Sequence, residues 1–291
     1  MSEKSDNISR RTVLSTTGAL AFTGLAGVQS VRADSNTGRE SDGRRTAGSR
    51  TRDSGSVELS SENSGTKQEW VSIMKQRDIV HPAVNEGVSS SSADANLQNL
   101  TYVDHWKQTS DLAPNCPQGD NPNFSAEHLC TVYKAVDDEG AIVQDSNGQY
   151  RYIVELWQQC TKSDSSGVLC ADAEINLLRS NINDKDGDVT FHGRDPTGTE
   201  RVNDERISVR HYTEVSGVAF GGDEVVRFND GLFGAIEWTP GPEGSYTVSW
   251  SGEEEQIQDI IAFVDIGSDS KLDFDDEDTG IVWNYKVETD F

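Results

Sequence analysis

Short runs in which apolar and polar residues alternate constrain the fold of this chain more than any other feature. In Gln149–Trp157, the apolar residues Tyr150, Tyr152 and Val154 share one face, because successive side chains of a β-strand point to opposite faces. Similar runs are Leu129–Val136, Ala141–Gln144, Arg206–Tyr212, Glu224–Phe228, Leu232–Trp238, Tyr246–Trp250, Ile257–Val264 and a closing run from Ile281 to Val287. Turn sequences rich in Gly, Asn, Asp and Pro separate them. The pattern predicts an all-β fold, an antiparallel β-sandwich or a related barrel with meander hairpins and few or no helices.

The spacing of these runs also predicts how they pair. We expect residues 129–157 to form one three-stranded meander and residues 224–264 to form another, since consecutive strands are usually neighbours. Helical periodicity is weak and is confined to Glu69–Val80 and Ala171–Leu178.

The tryptophans divide into two groups by the face on which they lie. Trp238, Trp250 and Trp283 fall in step with the apolar faces of their runs, which predicts core positions. Trp157 lies on the same side of its run as the charged residues, so we expect an exposed ring there, of the kind that stacks on sugars.

The first 33 residues have the organisation of an export signal. A charged segment containing Arg10 and Arg11 precedes an uncharged run from Ser15 to Val28, and the small-residue site Val31–Ala33 follows. The adjacent arginines resemble those of a twin-arginine export signal, which implies secretion of an already folded protein. No later run reads as a membrane span, so we expect a released product that begins near Asp34.

Two further segments follow the signal. Residues 34–66 contain two large aliphatic residues and no aromatic ones, so they bury too little apolar surface to offset the entropy of ordering. We interpret them as a disordered spacer or a removable pro-segment. Residues 67–291 remain as the secreted β domain, which has enough residues for one large unit or two subdomains.

The acidic composition restricts both environment and partners. The formal net charge is −25, and cleavage after Ala33 removes a slightly basic segment. Such a charge repels itself in ordinary buffer, whereas in molar salt the Debye length shrinks to about 3 Å. Together with scarce lysine and the export signal, the composition resembles that of secreted proteins of extremely halophilic archaea. The charge argues against nucleic acids and anionic membranes as partners and leaves an extracellular protein or a glycan.

Four cysteines in an exported chain favour two disulfides over a metal site, because no Cys-x-x-Cys pair is present. Three pairings are possible. If Cys130 begins the first strand of the meander and Cys160 follows the third, about eight residues of extended strand separate them. That separation is too long for a disulfide, which needs Cα atoms within about 7 Å. We therefore favour the bridges Cys116–Cys130 and Cys160–Cys170.

One acidic loop resembles the calcium loop of EF-hand proteins. Carboxylates stand at its first, third and fifth positions, a carbonyl oxygen is available at the seventh, and a carboxylate closes the loop at the twelfth. The predicted ligands are Asp184, Asp186, Asp188, Thr190 and Asp195. Val189 replaces the glycine of the family loop, and the last acid is Asp instead of Glu. The alternative is an acidic turn that binds no metal, and the acidic run from Asp273 to Asp278 invites the same two interpretations.

Catalytic motifs do not stand out. The chain lacks Gly-x-Ser-x-Gly, His-Glu-x-x-His, phosphate-loop and dinucleotide-binding patterns, and the five histidines share no ligand spacing. Asn99 and Asn123 begin tripeptides that are glycosylation acceptors in exported proteins.

Three functions remain compatible with these features. The first is a non-catalytic extracellular or surface-associated binding module, salt-adapted and stabilised by calcium. The second is a secreted hydrolase whose site is assembled from distant residues. The third is a secreted antagonist or toxin-like protein, for which residues 34–66 are a removable pro-region.

Overall fold

Fourteen strands and one α-helix make up the computed structural model, which describes residues 50–76, 100–113, 123–162, 173–203, 205–215, 218–274 and 279–290. The helix α1 is Lys67–Gln76. The strands are β1 (Thr51–Glu58), β2 (Leu100–Leu112), β3 (Phe124–Ala135), β4 (Tyr150–Lys162), β5 (Glu174–Asp184), β6 (Val189–Asp195), β7 (Thr199–Val202), β8 (Glu205–Val215), β9 (Val218–Phe228), β10 (Gly231–Thr239), β11 (Gly241–Pro242), β12 (Ser245–Glu254), β13 (Ile257–Ser268) and β14 (Ile281–Asp290). The signal predicted at residues 1–33 lies outside the described residues.

Two antiparallel sheets of six strands form a sandwich. Sheet A has the order β1-β14-β5-β12-β10-β7, and sheet B has the order β11-β6-β13-β4-β3-β2. Strands β8 and β9 form a separate two-stranded ribbon. The predicted all-β class is confirmed.

The core lies between the inner faces of the two sheets. Trp250 and Trp283 of sheet A are fully buried, and in the register of the sheet they lie opposite Leu178 and Ile182 of β5. The His128 ring of sheet B stacks on Tyr285 of sheet A with 4.2 Å between ring centroids. The aromatic residues that alternate along β12 and β14 therefore face the core, as predicted.

The helix packs at one side of this sandwich. A capping box begins it, in which the Thr66 backbone N–H donates to Glu69 Oε2 over 2.8 Å and the Glu69 N–H donates to Thr66 Oγ1. Trp70 and Met74 are fully buried, and the Trp70 ring lies 4.7 Å from the Tyr102 ring. The helix predicted at Glu69–Val80 is confirmed as far as Gln76, beyond which the segment lies outside the described residues.

The prediction of a disordered spacer was wrong at its C-terminal end. Residues Thr51–Glu58 form the edge strand β1, paired with β14, and Leu59 is fully buried. A polar segment can be ordered in this way because the edge of an existing sheet supplies its main-chain hydrogen bonds. Arg50 lies 3.6 Å from Glu288 and 3.7 Å from Asp290, so a basic side chain of this nearly neutral segment pairs with acidic residues at this edge.

Two of the predicted pairings were also wrong. The middle run of the first meander makes only isolated bridges, Val136↔Ile142 and Gln144↔Tyr150, and β3 pairs directly with β4. The second meander is divided, because β9 pairs with β8 and because β12 and β13 belong to different sheets.

The helix predicted at Ala171–Leu178 is a strand from Glu174 onward, and its first two residues lie outside the described residues. Hydrogen bonding to β14 on one side and β12 on the other overrides its local helical preference.

Candidate functional site

The β8–β9 ribbon, hereafter the hairpin, is the part of the chain that belongs to neither sheet. Its eleven residues per strand pair with each other from Glu205↔Phe228 to Val215↔Val218, and a two-residue connection joins them. Within the described residues, no other strand pairs with β8 or β9. The hairpin can therefore move without breaking a main-chain ladder of either sheet.

Both ends of the hairpin leave the sandwich at one point. The strands that precede and follow it, β7 and β10, are direct neighbours in sheet A, with Val202 opposite Gly231. At this base, the Asn229 side-chain amide donates to the Ile257 carbonyl over 2.6 Å, and the Trp250 indole donates to the Asn229 carbonyl over 3.3 Å. The hairpin is thus an insertion between two strands that are hydrogen-bonded neighbours in sheet A.

The two faces of the hairpin differ in character. The register and the period of two place one set of residues on a largely apolar face, which also carries the polar residues Glu205, His211, Thr213 and Glu224. The apolar members are Ile207, Val209, Val215, Val218, Phe220, Val226 and Phe228. The opposite face carries Arg206, Ser208, Arg210, Tyr212, Glu214, Asp223 and Arg227.

The apolar face packs on the outer face of sheet B. Strand β8 contacts β13, β4 and β6, and β9 contacts β13. Val209 and Phe228 are buried in the core cluster, and Ile207 packs against it. The apolar residues near the base of the hairpin, Ile207, Val209 and Phe228, are therefore shielded in this conformation.

Beneath the hairpin lies a buried apolar strip on β4 and β13. Trp157 is 4% exposed, and its register partner Ile261 is fully buried beside Phe263. Strands β4 and β13 are covered on both faces, by sheet A on one side and by the hairpin on the other. The predicted exposure of Trp157 was wrong, because the covering hairpin could not be seen from the alternation of β4 alone.

Charged side chains lie beside this apolar strip on the outer face of sheet B. Glu155 is 1% exposed, and the Tyr133 hydroxyl donates to its carboxylate over 2.6 Å. Further along, Arg151 lies between Asp145 and Asp265, and it makes ion pairs with both. Burial opposes ionisation of Asp145, but the backbone N–H groups of Gln149 and Asn147 and the charge of Arg151 together lower its pKa.

The histidines of the described core are neutral and enclosed. Burial lowers the pKa of His128 to about 3 and that of His105 to about 4. His128 Nε2 lies 2.9 Å from the Ser110 hydroxyl, but both residues are at most 2% exposed. This serine–histidine pair is therefore closed to a substrate in this conformation. His81 lies outside the described residues.

The structure places Asp184, Asp186 and Asp188 at one turn and Asp195 at the far end of the next strand. Asp184 ends β5, whereas Asp195 ends β6, and five residues of extended strand lie between Val189 and Asp195. The buried Asp184 carboxylate accepts hydrogen bonds from the N–H groups of Asp186, Gly187 and Val189. It closes the turn between the two strands, while Asp186 and Asp188 are exposed. The described residues contain no group of three or more His, Cys, Asp or Glu side chains arranged to hold a metal ion.

The described cysteines narrow the choice of disulfide pairing. Cys130 lies opposite Leu156 and Cys160 lies opposite Ala126, so four positions, about 13 Å, separate the two along the sheet. Since a bridge needs Cα atoms within about 7 Å, the structure excludes a Cys130–Cys160 bond. Burial raises the pKa of both thiols, that of Cys160 to about 12. Cys116 and Cys170 lie outside the described residues, so the pairs Cys116–Cys130 and Cys160–Cys170 stay a prediction.

One of the two predicted glycosylation sites lies within the described residues. Asn123 is exposed and directly precedes β3. Asn99 lies outside the described residues.

Comparisons with known proteins do not assign a family. No family model and no curated protein matches the chain. A solved structure titled "Pore forming protein" is similar with a TM-score of 0.31 and 7% identity, over 60% of this chain and 79% of the other. The membrane-inserted form of the Clostridium perfringens NetB toxin gives a TM-score of 0.18 and 7% identity, over 56% and 78% of the two chains. Among the described residues, no helix is both long enough and apolar enough to cross a membrane. At TM-scores this low, neither structure identifies the family of the chain.

Proposed function

We propose that this chain is an exported, toxin-like protein that permeabilises lipid membranes by inserting the β8–β9 hairpin. The observation that carries the proposal is the hairpin itself: an amphipathic ribbon that pairs with neither sheet and covers an apolar strip of sheet B. This is the third of the functions compatible with the sequence.

The length and pattern of the hairpin suit a bilayer. A transmembrane β-strand needs about 9–11 residues when it is tilted by about 45°, and β8 and β9 have eleven residues each. Strands that cross a membrane alternate apolar residues toward lipid with polar residues toward water. In the proposed inserted state, the face that now packs on sheet B turns to the lipid, and the arginine-rich face lines an aqueous path.

Insertion requires more than one copy of the chain. A lone hairpin leaves the backbone groups of its two outer edges without partners, and each such group costs several kcal/mol in lipid. Hairpins of neighbouring copies satisfy these groups when they lie side by side. The formal charge of −25 opposes such an assembly in dilute buffer, but in molar salt the Debye length is about 3 Å and the repulsion is screened. The proposal therefore includes secretion into a saline medium through the signal at residues 1–33.

The sandwich offers less support for a glycan-binding module. Trp157, whose ring was predicted to be exposed, is 4% exposed and lies on β4, a strand that β8 contacts. The described residues therefore favour a membrane function.

The test is dye release from vesicles of neutral phospholipid in molar KCl, with residues 34–291 as the protein. In the matched variant, Asn-Gly replaces residues 203–230, because Val202 and Gly231 already face each other and a two-residue turn can close them. We expect the parent protein to release the dye in a concentration-dependent manner and the variant to release none. Absence of release by the parent protein over a range of neutral lipids, or equal release by both proteins, contradicts the proposal.

A further inference from the structure

A cavity of about 420 Å³ opens at the end of sheet B where β3 ends and β4 begins. Its walls come from β2, from the connection between β3 and β4, and from the segment that follows β13. Val103, Ile142 and Leu272 supply apolar wall, and Lys134, Tyr150 and Lys271 supply polar groups. The cavity lies apart from the base of the hairpin, which is at the opposite end of β13.

Two lysines, Lys134 and Lys271, line this cavity, and neither has an acidic partner among the described residues. Elsewhere in the chain, Lys107 pairs with Glu127 over 2.7 Å, and Lys286 pairs with Glu288. Within the part of the chain that the structure describes, Lys134 and Lys271 make no ion pair, and no carboxylate lines the cavity. Acidic residues outnumber basic ones by 50 to 25 in this chain. Two ammonium groups without an ion pair at one cavity therefore point to a site for an anion.

The fold fixes the position of both lysines. Lys134 lies on β3 directly opposite Tyr152 of β4. The Tyr152 hydroxyl accepts a hydrogen bond from the Leu272 backbone N–H over 2.9 Å, which ties the segment carrying Lys271 to the same strand. The Lys271 ammonium lies 5.7 Å from the centre of the Tyr150 ring. The ammonium groups therefore project from supports that the sheet holds together.

We propose that this cavity binds a phosphate-bearing organic anion, with Lys134 and Lys271 as the groups that hold the phosphate. Lysine binds phosphate as a compact point charge with three donors, and charge-assisted hydrogen bonds are stronger than neutral ones. The apolar walls contact the organic part of the ligand. The ligand chemistry fits both the headgroup of an anionic lipid and a free phosphate ester. Molar salt screens the long-range repulsion of the acidic chain while contacts within the site persist.

The test measures binding directly and does not depend on dye release. One arm titrates glycerol 3-phosphate by calorimetry, and the other measures sedimentation of the protein with vesicles of phosphatidylglycerol or phosphatidylcholine. We expect Lys134→Gln or Lys271→Gln to weaken binding about tenfold in the arm that binds. The control is Lys185→Gln, which removes the same charge from an exposed residue that does not line the cavity.

Each result is decisive. Glycerol 3-phosphate binding that both cavity variants weaken supports the site and a free ester as its source. Binding to phosphatidylglycerol vesicles that exceeds binding to phosphatidylcholine vesicles, with the excess lost in the same variants and no binding of glycerol 3-phosphate, supports the site and a lipid headgroup. Failure of both probes to bind the parent protein overturns the proposal, as does an equal loss in Lys185→Gln. Lys271 is exposed, so its variant tests the site even if Lys134→Gln fails to fold.

Discussion

Val226→Asp is expected to reduce dye release at least about tenfold, whereas Val225→Asp should leave release within about twofold of the parent protein. The two positions are adjacent, carry the same residue and receive the same substitution, but they lie on opposite faces of the hairpin. In the inserted state, the carboxylate introduced in place of Val226 would face lipid, two positions from Glu224 on the same face, so its charge has no cationic neighbour along that row. An acid toward lipid costs of the order of 1 kcal/mol or more per copy, and the cost accumulates over the assembled copies.

Whether Val226→Asp lowers or raises dye release distinguishes membrane insertion from weaker docking of the hairpin. The face of Val226 is also the face that packs on sheet B, so an acid there weakens docking of the hairpin. Weaker docking alone would increase release. Lower release by Val226→Asp, in a protein whose far-ultraviolet circular dichroism is unchanged, therefore supports contact with lipid. Equal loss of release in both variants would refute the assignment of faces.

Arg151→Met is expected to lower the free energy of unfolding by about 3–5 kcal/mol at pH 7. The Arg151 side chain is 7% exposed and lies between the carboxylates of Asp145 and Asp265, which are 10% and 11% exposed. Removal of the cation breaks the ion pairs of two largely buried carboxylates. Denaturant unfolding of parent and variant at constant salt measures the difference. The control is Lys286→Met, since its partly exposed pair with Glu288 contributes at most about 1 kcal/mol.

The cost of Arg151→Met should shrink as the solution becomes acidic. In the parent protein, the pKa of Asp145 is lowered, so its contribution to stability is present above its ordinary pKa of about 3.9 and is lost as the pH falls through the folded-state value. In the variant, Asp145 no longer has the charge of Arg151 that helps to lower its pKa, and it protonates more readily. The difference between parent and variant should therefore be largest at pH 7 and smaller near pH 4. A difference that stays constant with pH would show that packing, and not charge, is the cause.

The alternation of apolar and polar residues predicted many of the strands but not their partners, and it missed β1, β2, β5 and β6. The closing run from Ile281 to Val287 is a strand whose alternate residues face the core, because one face of a half-buried strand is read directly from its sequence. The turns at Gly140 and Gly148, with φ of 80° and 85°, were likewise predictable, since a positive φ favours glycine. Partner choice depends on contacts between distant segments, which no local pattern contains.

The hairpin shows this limit most clearly. Arg206–Tyr212 and Glu224–Phe228 were both predicted as strands, but Glu224–Phe228 was paired with the run that follows it. A local signal was present, since Ser216-Gly217 between two valines is typical of a two-residue hairpin turn. The hairpin pairs with neither sheet because of the arrangement of the whole fold, and the sequence alone did not predict this.

The calcium prediction rests on the spacing of acidic residues alone, and it stays a prediction. The spacing of Asp184, Asp186 and Asp188 matches the start of a calcium loop, but a loop of twelve residues binds only if it curls around the ion. Here, the segment extends at Val189 and becomes β6, because pairing with β13 satisfies its backbone. The buried Asp184 carboxylate closes the turn with three backbone N–H groups. The spacing of oxygen ligands therefore does not determine the path of the backbone, on which a metal site also depends.

The most direct measurement of hairpin insertion is acrylamide quenching of Trp157 fluorescence before and after neutral vesicles are added in molar KCl. The difference between the parent protein and Trp157→Phe isolates this residue from the other five tryptophans. Trp157 is 4% exposed beneath the hairpin, so departure of the hairpin uncovers its ring. We predict that Trp157 is protected from acrylamide without vesicles and becomes accessible as dye is released. Dye release with Trp157 still protected would contradict the proposed movement.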